Sequence, residues 1–103
     1  MRIRYVPDLY LKEKEQSLQY LKERHMVGDE HAGADDTSEI MFIDAAHKWI
    51  RTEKLAASDR AHEPQTGVVG DPTKANAAMG KVFIDLKVSD AVAQIRAYRQ
   101  PKL

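Results

Sequence analysis

Histidine and carboxylate side chains are concentrated in one stretch of the chain: His25, Asp29, Glu30, His31, Asp35 and Asp36. Carboxylates suit hard divalent cations and imidazoles suit transition metals, so a stretch of this kind can hold a metal or move protons. Its acids do not recur at alternate positions ahead of a distal Glu, so the calcium-loop pattern is absent. Asp44 and His47 form a second pair, three residues apart on one face of a helix, a spacing that serves two ligands or an acid and a base. Dinuclear carboxylate bundles repeat such a pair on a further helix, whereas here it occurs once. The metal-ligating candidates are therefore His31, Asp35, Asp44 and His47. Simpler roles compete with them. His25 falls on an apolar arc and reads as a core histidine, Asp35 and Asp36 precede a helix start, and Asp44 stands four residues before Lys48, an ordinary helix-surface ion pair.

The chain has no cysteine, which removes thiolate nucleophiles, thiolate metal sites and disulfides together. The remaining nucleophile candidates, Ser17, Ser38, Ser58 and Ser89, lie in neither a nucleophile elbow nor a Ser-x-x-Lys context. Ser38 and Ser89 have a plainer use as helix caps. The segment Gly67–Lys74 places glycines before a lysine, but it lacks Gly-Lys-Ser/Thr, and Pro72 removes one of the N–H groups a phosphate loop needs. No residue is assigned a catalytic role on this reading, and no cofactor is expected.

Charge balances at 16 basic and 16 acidic residues, but unevenly. Between residues 28 and 44 there are only acids (Asp29, Glu30, Asp35, Asp36, Glu39 and Asp44) and no Lys or Arg. Nucleic-acid binders carry a basic excess that displaces counterions, and none exists overall. A local basic face of Lys81, Lys87, Arg96, Arg99 and Lys102 is the form in which such binding would survive. No apolar run reaches signal-peptide or membrane-spanning length, and a small cysteine-free chain fits a reducing compartment, so a cytoplasmic location and no membrane partner are expected.

The elements that would position these residues follow from hydrophobic period. The 103 residues suit one small domain with an irregular loop at about 62–80. Arg2–Val6 alternates and predicts a short strand ended by Pro7. Asp8 then starts a helix to about Val27, stopped by Gly28, with Tyr10, Leu11, Leu18, Leu21 and His25 on one arc. Thr37 or Ser38 caps a second helix to about Ala61, whose face Phe42, Ile43, Ala46, Trp49, Ile50 and Ala57 supplies most of the core. Lys81–Val88 alternates strictly and predicts a strand paired with Arg2–Val6, followed by a helix from Ser89 to Arg99. The fold class is thus α+β, predominantly helical, with three amphipathic helices and a small two-stranded sheet. The all-α alternative joins Pro72–Arg99 into one long helix.

Ile40, Met41 and Leu55 fall outside the apolar stripe of the second helix and need cover from elsewhere. With no catalytic constellation in view, they point to a non-enzymatic protein-interaction module: an accessory subunit, adaptor, virion component or host-factor inhibitor. A protein partner or homo-oligomer goes with that expectation. The alternatives are a nucleic-acid-binding protein using the C-terminal basic face, and a small metal-binding protein or enzyme.

Overall fold

The computed structural model describes residues 1, 3–5, 9–26, 31–44, 46, 48–55 and 67–99. It is mostly helical. The described elements are α1 (Leu9–Glu23), α2 (Ala34–Ile43), short 3₁₀ turns at Thr52–Lys54 and Pro72–Lys74, and α3 (Ala77–Arg99). The expected two-stranded sheet is absent among the described residues. Lys81–Val88 lies wholly inside α3, and Ile3–Tyr5 form no ladder. The strict alternation of Val82, Ile84, Leu86 and Val88 misled because Met79, Phe83 and Leu86 also follow a helical period. The face containing Met79 and Phe83 is the one the neighbouring helices bury.

α1 is built from Leu, Glu, Lys and Gln, all strong helix formers. It ends before Gly28. His25 adopts φ 57°, its N–H donates to Lys22 O at 3.0 Å, and Met26 N–H donates to Leu21 O at 2.9 Å. These are the paired bonds of a Schellman stop, and Met26 folds back on the core beside Leu21 as that motif requires. His25 is therefore an exposed helix-capping residue rather than a core histidine.

α2 begins earlier and ends far sooner than its sequence pattern suggests. Gly33 is the N-cap, and Asp35 and Asp36 occupy the first turn, where carboxylates meet the positive end of the helix dipole. After Ile43 the buried Asp44 carboxylate accepts the N–H groups of Lys48 at 3.0 Å and Trp49 at 2.7 Å, which turns the chain out of the helix. Phe42, Ile43 and Trp49 are consequently exposed, Trp49 by 65%. The expected core face of the second helix does not form; its Ala57 lies outside the described residues.

The core that does form is small: Leu21, Ala34, Met79 and Phe83, with Tyr20 and Met26 packed around it. Tyr20 meets Phe83 edge to face at 5.3 Å between ring centres. α1 turns Ser17 and Leu21 inward and leaves Tyr10, Leu11 and Leu18 exposed. α2 and α3 approach closely where Gly80 lies against the backbone of Ser38. The fully buried Ser38 Oγ accepts the N–H of Asn76 at 3.0 Å, and Asn76 Oδ1 in turn accepts the N–H of Met79 at 2.8 Å. One side-chain relay thus bolts the start of α3 to the middle of α2. No helix among the described residues is long and apolar enough to cross a membrane.

Candidate functional site

The chain entering α2 is held unusually firmly for a loop. His31 and Val69 form an isolated antiparallel bridge, with Val69 N–H donating to His31 O at 2.9 Å and His31 N–H to Val69 O at 3.3 Å. The next residue, Ala32, has φ 53°, a left-handed conformation that costs a residue with a Cβ about 1 kcal/mol or more. Both of its backbone polar groups are held by side chains of α2. Asp36 Oδ2 accepts the Ala32 N–H at 3.0 Å, and the Thr37 hydroxyl donates to Ala32 O at 3.1 Å. The His31 side chain remains exposed beside the first turn of α2. His31 and Ala32 are thus bonded through both backbone groups, with the imidazole left exposed.

Beside this turn lies a cleft of about 120 Å³ between the three helices, lined among others by Glu13, Ser17, Asp35, Asp36, Glu39 and Lys87. Lys87 Nζ lies 2.7 Å from both carboxylate oxygens of Glu39 and 3.5 Å from Glu13 Oε1, while Ser17 donates to that same Glu13 oxygen at 2.9 Å. One ammonium therefore ties α1, α2 and α3 together. Burial works against the Lys87 charge, but its bonds to Glu39 and the charges of Glu39 and Glu13 outweigh it and hold its pKa above the ordinary 10.5. For Glu39 the balance falls the other way: burial raises its carboxyl above 4.5 against the pull of Lys87.

These directions set opposite pH windows. A lysine whose pKa is raised on folding contributes stability below pH 10.5 that is lost as pH rises through the folded value. Glu39, raised as well, favours the fold most below pH 4.5 and less once it ionises. Lys87→Met is therefore expected to lower the melting temperature at neutral pH, since Glu39 and Glu13 lose their shared cation. It is also expected to flatten the alkaline fall in melting temperature relative to the parent. Calorimetry of both proteins across that range measures the difference.

Of the proposed metal ligands, His31 and Asp35 share the α2 entry. Asp44 lies at the far end of α2, nine residues and roughly 13 Å of helix away, with its oxygens on Lys48 and Trp49 N–H. His47 lies outside the described residues, and those residues hold no cluster of three or more metal-ligating groups. Of the basic set, Lys87 is committed to Glu39 and Glu13, and Lys81 is paired with Asp85. Arg96 and Arg99 sit exposed in the last turn of α3, and Lys102 lies outside the described residues. Ile40 is 40% exposed, and Met41 and Leu55 are half-buried. The bonds of Asp36 and Thr37 to Ala32 were not legible beforehand. A non-glycine residue forced left-handed leaves no mark in composition or period.

No protein-family model matches the chain, and no solved structure does. Two curated proteins do, both described as "Mycofactocin precursor peptide peptidase", from Mycobacterium tuberculosis strains CDC 1551 / Oshkosh and ATCC 25618 / H37Rv. Each is 35% identical over 83 residues, covering 66% of this chain and 32% of the relative. The chain thus spans about a third of the length of the curated relatives it matches. Similarity to a peptidase overturns the expectation of a non-enzymatic interaction module, and the protein-binding, oligomeric description that went with it loses its support. That expectation rested on missing catalytic motifs, and a segment matching a third of an enzyme need not carry a complete motif.

Proposed function

We propose that the chain takes part in peptide-bond hydrolysis on a precursor peptide, as the name of its relatives describes for them, and that it supplies the part of the active site around His31. The observation that carries the reading is the fixed turn: an exposed imidazole anchored by Val69 on one side and followed by a strained Ala32 clamped from α2. In hydrolysis, a water oxygen attacks the peptide carbonyl carbon, the C–N bond breaks, and a proton passes from the water to the departing amine. A neutral imidazole can relay that proton, or it can hold a divalent cation that makes the water acidic. His31 is the group in the described turn suited to either task. A cytoplasmic location fits an enzyme acting on a newly made peptide.

The test is direct. The protein is incubated with a synthetic mycofactocin precursor peptide, stripped of metal and then resupplied with zinc, manganese or iron(II), and the products are read by mass spectrometry. Defined fragments are expected, and dependence on a cation separates the two roles of the imidazole. Intact peptide under every condition would overturn the proposal.

A further inference from the structure

We propose that Thr37 is a positioning residue for His31; this deepens the reading above and rests on it. Thr37 lies within α2, and its side chain is directed back to the preceding turn rather than to solvent, with 7% of the residue exposed. Its hydroxyl reaches five residues back to Ala32 O at 3.1 Å. That carbonyl belongs to the left-handed residue, and the orientation of the peptide plane on either side of Ala32 sets the direction in which the chain leaves His31. The His31–Val69 bridge holds His31 through both its N–H and its C=O, so the next point at which the chain can turn is Ala32.

The Thr37 hydroxyl is therefore one of two side-chain anchors that keep Ala32 left-handed. Asp36 is the other, but its carboxylate is exposed, so water competes for the Ala32 N–H. The bond from the buried Thr37 hydroxyl meets less competition. Without it, the Ala32 peptide can relax toward an unstrained conformation and swing the imidazole away from its working direction. A shift of that kind lowers turnover more than substrate binding, because it misplaces a reacting group and leaves the peptide-binding surface intact.

Thr37→Val keeps the shape and removes the hydroxyl; Thr37→Ser keeps the hydroxyl and removes the methyl. Two readouts are taken on each. Backbone couplings and carbon shifts at Ala32, with the ring resonances of His31, report the turn by NMR without reference to activity. Kinetics of peptide cleavage report the consequence. The valine variant is expected to move Ala32 out of the left-handed region, shift the His31 ring resonances and lower kcat on the order of tenfold at little-changed KM. The serine variant is expected to restore all three. If Thr37→Val fails to fold, Thr37→Ala, which also lacks the hydroxyl, is compared with Thr37→Ser by the same readouts. Unchanged Ala32 and His31 resonances in the valine variant overturn the proposal. A parent protein without peptidase activity sinks the functional reading instead, and the NMR comparison still decides whether Thr37 holds the turn.

Discussion

Gly80→Ala is expected to destabilise the protein, although helix propensity alone predicts the opposite. Within a helix alanine is better than glycine by up to about 1 kcal/mol, and Gly80 closes the first turn of the 23-residue α3. Here a Cβ at position 80 would stand 1.8 Å from Ser38 O, 2.4 Å from Ser38 C and 2.9 Å from Glu39 N. All three atoms are backbone within α2, so no side chain can rotate away, and relief requires the two helices to separate. Separation also strains the Ser38–Asn76 bond and the Glu39–Lys87 pair, which lie on either side of the crossing. Overpacking of this kind costs about 3 kcal/mol or more, giving a net loss of about 2 kcal/mol after the propensity gain. For a domain of this size that is a fall in melting temperature of roughly 8–16 °C. Thermal unfolding followed by circular dichroism decides the sign. A variant as stable as the parent would mean that the α2–α3 crossing is not as close as described.

His31→Ala is expected to abolish peptide cleavage while leaving the fold intact. The imidazole is exposed, and the bonds from residue 31 to Val69 run through the backbone, so alanine retains them. The melting temperature should stay within about 2 °C of the parent, as for other substitutions of exposed side chains. Loss of a proton-transferring or cation-holding imidazole lowers turnover by about 10²–10⁴-fold. The pairing of the two measurements gives the experiment its force. Inactive but equally stable protein places His31 in the chemistry. Undiminished cleavage removes it, and inactivity with a large stability loss would mean that the turn, and not the imidazole, had been damaged.

Particular residues show what could be read in advance. α1 was legible from an apolar arc, but of its members only Leu21 turns inward. Its end was misjudged by a few residues because His25 takes the left-handed position that glycine was expected to fill. Asp35 and Asp36 were expected just ahead of a helix capped by Thr37 or Ser38. In the structure Gly33 is the N-cap, the two acids form the first turn, and Thr37 and Ser38 are buried inside α2. The end of α2 was not legible, since Asp44 stops it by bonding to backbone beyond the helix. Gly80 looks like a helix breaker in sequence, and in the structure it is a point of contact between two helices. Among the site candidates His31 and Asp35 fall together, while Asp44 lies at the other end of the helix.

The sequence by itself determined that the chain is mostly helical, that it lacks thiol chemistry, and that residues 28–44 carry six acids and no Lys or Arg. Composition and short-range period carry that information because they act on neighbouring residues. Only the tertiary structure decided that residues 81–88 are helix, that Ser38 and Gly80 touch, that Lys87 joins three helices, and that Ala32 is forced left-handed behind His31. Each of these depends on groups distant in sequence or on a backbone conformation that side-chain pattern does not encode. Within the histidine-and-carboxylate stretch that first suggested chemistry, the proposed function rests on one side chain, His31, presented by a turn that other parts of the fold hold in place.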